Sequence, residues 1–321
     1  MPQRAPLPSE INRRGFASKE LDTFGLHRGR IAALDIKKSP VNLIYLSTDE
    51  ENSEIDVARA LMKSFPDMWL SHTTAARLQG LFIPERLRKD HRLHVTVPFG
   101  ASPVRRRGVA GYRSRNQDRL TFVDGVRISS HVRSVLEISS LLTVQELVIL
   151  GDQLVRIPRP GFENRTGAHI SLDDWGALTM SAKLPKKENL LRSLAHVRVG
   201  ADSPPETLLR LRLVESGYPE PELQIPAIPE NKYSPTADMG YQKFRIALHY
   251  DGAVHYSASS FAKDQNRDHA FDSRGWKNIR CSAADAKAGF LPVLPRLFDA
   301  FMSQAQRLDM PLPPQIQAMC A

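Results

Sequence analysis

The chain has 321 residues, a net charge of +9, a pI near 9.7 and only two cysteines, Cys281 and Cys320. No apolar run approaches the roughly 20 residues that cross a bilayer, and the opening MPQRAPLPSEINRRG lacks the apolar stretch of a signal peptide, so a cytoplasmic protein with no membrane partner, disulfide framework or cysteine zinc site is expected. The length exceeds that of a usual single core and predicts two or three domains; the positive balance suits a polyanion, whose condensed counterions Lys and Arg release, although a basic surface also serves solubility.

Residues 1–15 are polar and rich in proline, and read as disordered. Residues 16–54 read as a small winged-helix-like unit: a short helix, a turn at Gly25, a second basic helix and an apolar β-rich run. That second segment is the expected recognition helix, offering His27, Arg28 and Arg30 to DNA, though a charged, solvated helix face reads the same way.

Residues 55–160 form the next α+β unit. Apolar residues recur at helical spacing through DVARALMKSFPDMWL, and Ser71 is placed to cap the helix HTTAARLQG. Strand-like alternation follows in RLHVTVP, RRRGVAGYRSR and LTFVDGVRISS, where Asp124-Gly125 marks a hairpin turn. Apolar helices through SVLEISSLLTVQELVILGDQLVR close the unit. Arg105, Arg106, Arg107, Arg113 and Arg115, interleaved with Tyr112, make the densest cationic run, suited to a DNA backbone with Tyr112 available for stacking. A charged sheet edge guarded against aggregation would look the same.

Residues 161–200 read as a polar connector with one or two short helices, 201–310 as a third unit and 311–321 as a tail. The third unit runs helix (203–217), strands (222–228, 235–241, 243–250), helix (258–274), strand (276–281) and a C-terminal helix. Trp276, opening the last strand, is expected in the core.

Strand alternation places Ala247, His249 and Asp251 on one side and Ile246, Leu248 and Tyr250 on the other. The first set can meet Asp238 from the neighbouring strand, where an Asp is otherwise disfavoured. Phosphodiester hydrolysis uses a divalent cation held by hard oxygen donors, and Asp238 and Asp251 are the candidate metal ligands, for Mg²⁺ or Mn²⁺. Asp251-Gly252 is equally a turn signature. Glu206, in Ser-Pro-Pro-Glu, fits both a helix cap and an acid presented to such a site, and the two roles can coexist. His255 is a candidate acid or base, and Lys263 and Arg267, about one helical turn apart, are candidate phosphate contacts.

The segments SPPETLLRLRLVESGYPEPELQ, TADMGY, IALHYDGAVH and KDQNRDHAFDSRGWKNIR occur in an order that resembles domains related to the very short patch repair (Vsr) endonucleases, within the PD-(D/E)XK restriction-endonuclease-like superfamily. The resemblance covers about residues 201–300. It implies an αβββαβ core, with the family's helix acid at Glu206, its strand Asp at Asp238, the second-motif Asp and His at Asp251 and His255, and the helix pair at Asp264 and Arg267. His249 stands where the family has Glu, which weakens Mg²⁺ binding and suits softer ions such as Mn²⁺ better. Upstream, SHTTAARLQGL and RRRGVAGYRS are similar to a unit related to AbiEi-type antitoxins, which implies a toxin or other protein partner.

The expected class is therefore α/β in the last unit and α+β overall. The expected function is DNA binding, coupled either to metal-dependent endonuclease cleavage through Glu206, Asp238, His249, Asp251 and His255, or to regulation by an antitoxin-like protein whose nuclease domain has lost its chemistry.

Overall fold

A computed structural model describes residues 7–8, 15–48, 53–158, 163, 165–231, 233–252 and 267–320. The fold is α+β. The chain divides into two compact units, Met1–Leu141 and Leu142–Ala321. No helix among the described residues is long and apolar enough to cross a membrane.

The first unit opens with a three-stranded antiparallel sheet, order β1-β3-β2, from β1 (Phe16–Ala17), β2 (Ile36–Lys38) and β3 (Ile44–Ser47). The expected recognition helix is instead a 3-10 turn, Arg28–Ala32. Gly25 (φ 67°) ends the short helix before it, and Gly29 lowers helix propensity within the turn. Its candidate DNA contacts are occupied: Arg28 pairs with Asp22, Arg30 donates to Asp35 at 2.6 Å, and His27 Nδ1 accepts from the Gly29 N–H.

Helix α1 (Glu54–Met62) begins at a Ser53–Asp56 capping box. The second sheet, order β6-β5-β4-β8-β7, contains β4 (Trp69–Leu70), β5 (Leu93–Pro98), β6 (Val109–Ser114), β7 (Leu120–Val123) and β8 (Val126–Ser129). Asp124 and Gly125 both take positive φ (48° and 75°), the primed turn that their sequence predicts, and β7 pairs with β8 across it. Leu61, Met68, Leu70, Val95 and Ile128 are buried in one apolar core with Ile44 of the first sheet. Between β4 and α2 (His72–Leu78), Ser71 occupies the cap position without capping; its Oγ accepts from Thr96 Oγ1 at 2.7 Å. Helix α3 (His131–Ile138), capped by Ser130, completes the unit.

The second unit starts with α4 (Val144–Val155), α5 (Leu172–Ser181) and α6 (Lys187–Leu194), so the last helix of the sequence-defined middle unit belongs here. The reason is a buried anchor: Asp152 on α4 accepts from Arg210 and Thr207 of α7 (Pro204–Glu215) at 2.9 and 2.8 Å. A four-stranded sheet follows, order β12-β11-β10-β9, from β9 (Glu222–Pro226), β10 (Thr236–Tyr241), β11 (Ile246–Asp251) and β12 (Lys277–Ser282). β9, β10 and β11 are antiparallel neighbours, and β12 joins β11 in parallel. A helical stretch at 267–272 precedes β12, giving the helix–three strands–helix–strand order.

One face of this sheet, with Met239, Tyr241, Ile246, Leu248, Ile279 and Cys281, packs on α7 and α8 (Val293–Leu308) through Leu209, Leu213, Leu297 and Phe301. The opposite face, with Ile225, Ala237 and Ala247, receives Phe271. Trp276, expected in the core, is only partly buried and packs edge-on against Phe271 at 5.2 Å at the margin of that cluster. A last helix, α9 (Pro314–Cys320), buries Ile316 in the α7–α8 core.

Candidate functional site

Asp238 lies where β10 loses its regular pairing. The β9–β10 register passes over Asp238 and Gln224, whose φ is 52°, and the β10–β11 ladder stops at Met239↔Leu248, one step short of Asp238 and His249. The Asp238 carboxylate takes up the vacated donor, accepting the Tyr250 N–H at 2.7 Å. A polar side chain thus does the work of a backbone carbonyl, which explains an Asp in a strand.

Glu206, buried in the first turn of α7, holds a variant of the expected capping box. Ser203 accepts the Glu206 N–H, while the carboxylate receives the Asp202 N–H at 2.9 Å and the Ser203 hydroxyl at 2.7 Å. The returning acid therefore reaches one residue further back than a standard capping box. Burial, and after it the nearby Asp238 charge, pushes its pKa up to about 7.

His249 is fully buried, its ring edge-on to Phe271 at 5.4 Å. Asn278 donates its amide to Asp272 at 2.7 Å, which turns Asn278 Oδ1 toward His249 Nε2 at 3.0 Å. Nε2 is then the ring donor, and Nδ1 is a buried acceptor without a hydrogen-bond partner among the described residues. Burial, and then the Arg267 charge, lowers the His249 pKa, so the ring is held neutral.

Asp251 is clamped between two guanidiniums. Arg280 donates to one carboxylate oxygen at 2.7 Å and Arg267 to the other at 3.4 Å, while Arg280 also pairs with Asp268. Arg267, the expected phosphate contact, is thus engaged with an acid of its own domain. His255, Lys263 and Asp264 lie outside the described residues.

Among the described residues no group of three or more His, Cys, Asp or Glu side chains could hold a metal ion. Both Asp251 oxygens face arginines, and His249 supplies a nitrogen where a hard cation needs oxygen. Among the described residues, His249 and the paired Asp251 thus offer a hard cation fewer free oxygens than the resemblance implies.

The cationic run lies in the first unit, around β6, an outer strand of its sheet that pairs only with β5 among the described residues. Arg105, Arg107, Arg113 and Arg115 are exposed, with no acidic partner among the described residues. Arg106 differs: it is half-buried, its guanidinium 5.2 Å from the Phe65 ring. Tyr112 is not available for stacking on a base either. It stacks on His72 at 3.7 Å, and its hydroxyl meets His94 Nδ1 at 3.1 Å.

Two features around this edge escape the sequence reading. Asp90, His94 and Tyr112 form a polar chain, with His94 Nε2 at 3.2 Å from Asp90. His72 beside it has φ 50°, and its N–H donates to Glu137 at 2.9 Å. The i, i+4 spacing of Asp90 and His94 was the available signal, but they sit across a strand boundary where helical spacing carries no weight. Phe99, half-exposed at the end of β5, has the Arg113 and Arg115 guanidiniums 5.4 and 4.5 Å from its ring. Its signal was an aromatic directly following RLHVTVP.

Comparison with models of known protein families gives no match to this chain, and comparison with curated proteins gives none either.

Proposed function

We propose that this protein binds DNA through the arginine edge of its first unit, and that its second unit is a Vsr-related, PD-(D/E)XK-like fold that has lost cleavage chemistry. The observation that carries the reading is the lack of acidic partners, among the described residues, for Arg105, Arg107, Arg113 and Arg115. In the same unit Arg28, Arg30, Arg59, Arg77, Arg92 and Arg133 are each paired with an acid. Uncompensated like charges repel one another, and a phosphate backbone relieves that repulsion while releasing its own counterions.

The loss of cleavage rests on the Asp251 clamp and on His249 in place of the family Glu. The reading places the protein in the cytoplasm, where free thiols such as those of Cys281 and Cys320 persist. The AbiEi-like segments add a toxin as the protein partner of a regulator.

Duplex-DNA affinity measured against salt tests the binding claim. Arg113→Ala and Arg115→Ala should each weaken binding uniformly across sequences and reduce the slope of log K on log salt by about 1. Unchanged affinity and slope in the double variant refute the proposed surface.

A second reading, cleavage with Mg²⁺ or Mn²⁺, is favoured by one observation: after burial, the Asp238 charge also raises the Glu206 pKa, a repulsion that a cation would relieve. It requires plasmid nicking that Asp238→Ala abolishes.

A further inference from the structure

We propose that Phe99, with Arg113 and Arg115, is a stacking platform for an unpaired base of single-stranded DNA. The inference rests on the DNA-binding reading and narrows its substrate.

The ring is held in a fixed place. Phe99 follows Pro98, the last residue of β5, and donates its N–H to Ser114 O on β6 at 2.9 Å, while the Ala101 N–H closes a tight turn onto Pro98 O at 2.9 Å. This anchoring limits the backbone freedom of an exposed apolar side chain, so little order would be lost on binding. Single exposed apolar residues are common and by themselves mean nothing; here Phe99 is 50% exposed and has over its ring two guanidiniums without acidic partners among the described residues. Arg113 lies in β6 and Arg115 just beyond its end, and both guanidiniums reach the same ring. Gly100 next to the ring leaves open space, since a Cβ there would meet nothing within 4 Å.

The Arg113 and Arg115 guanidiniums lie over the ring and, being exposed, can swing outward to phosphates as a base takes the ring face, which joins stacking to phosphate contact. A continuous duplex shows a protein only phosphates and base edges in its grooves, whereas the faces of its bases are stacked on one another. The Phe99 ring therefore adds affinity only where a base is unstacked, and the arginines contribute to both forms.

Fluorescence anisotropy of the full chain with a labelled single-stranded oligonucleotide and with its duplex tests this, using wild type, Phe99→Ala and Phe99→Tyr, each checked by thermal melting. The proposal predicts that Phe99→Ala weakens single-strand binding by about tenfold or more, that Phe99→Tyr restores it, and that duplex binding changes by less than about twofold. An equal loss on both forms overturns it, because Phe99 would then only position the arginines. Unchanged single-strand binding in Phe99→Ala, or duplex binding by wild type without single-strand binding, also overturns it while leaving the DNA-binding reading intact. Wild type that binds neither form refutes the DNA-binding reading itself, and the platform with it.

Discussion

Arg280 on β12 donates to Asp251 on β11 at 2.7 Å, reaching diagonally from its place opposite His249 in the parallel pairing. The arginine occupies an oxygen that a metal centre would need, so this pair decides between a cation and a salt bridge at Asp251. Millimolar Mn²⁺ should leave the melting temperature of the wild type unchanged, because a ligand stabilises a fold only by binding it. A rise in wild type that disappears in Asp251→Asn contradicts this. Without metal, Asp251→Asn should cost no more than about 1 kcal/mol, since both partners are more than a third exposed or nearly so.

The Arg210–Asp152 pair behaves differently, because each side chain is only 1% exposed. Asp152→Ala leaves the Arg210 charge buried without that partner and should destabilise the second unit by about 3–5 kcal/mol in urea unfolding. A loss under about 1 kcal/mol would show that the anchor between α4 and α7 is dispensable.

Glu206 gives a pH dependence of defined sign. Its folded pKa, about 7, lies above the ordinary 4.5, so the folded state retains a proton that the unfolded state has lost between these values. Stability should therefore fall as pH rises from 4.5 to 7, by up to about 3 kcal/mol from this group. Urea unfolding of wild type and Glu206→Gln at pH 5 and pH 8 checks it: the wild type should lose more stability than the variant, and parallel pH profiles contradict the assignment.

His72 has the opposite sign. Burial, and then the His94 charge, lowers its pKa to about 3, so the folded state keeps the ring neutral while the unfolded chain protonates it near 6.5. Its contribution to stability is complete above pH 6.5 and is lost as pH falls toward 3. By NMR, the His72 Hε1 resonance should keep its neutral position from pH 8 down to about pH 4.5. A midpoint near 6.5 would mean that the stack on Tyr112 does not bury the ring.

Local signals in the sequence located most elements of the second unit. Period-2 alternation placed Ile246 and Leu248 on one face and Ala247 and His249 on the other, and the Asp-Gly pair at 124–125 forms the turn that its φ preferences demand. What local signals could not show is what distant residues decide. Asp251 looked available as a ligand because Arg280, 29 residues on, becomes its partner only when β12 docks in parallel. Helix α4 looked like the end of the preceding unit because its buried partner, Arg210, is 58 residues from Asp152. Tyr112 looked free because nothing nearby in sequence announces the stack on His72. At Arg28–Ala32 local chemistry was misjudged: the glycines at 25 and 29 limit the segment to a short 3-10 helix.

The most direct test of binding without cleavage incubates the full chain with supercoiled plasmid and Mn²⁺ or Mg²⁺, then compares plasmid mobility before and after removing the protein. The account predicts a retarded plasmid that returns fully to the supercoiled form. Nicked circles produced by wild type and absent with Asp238→Ala would contradict it.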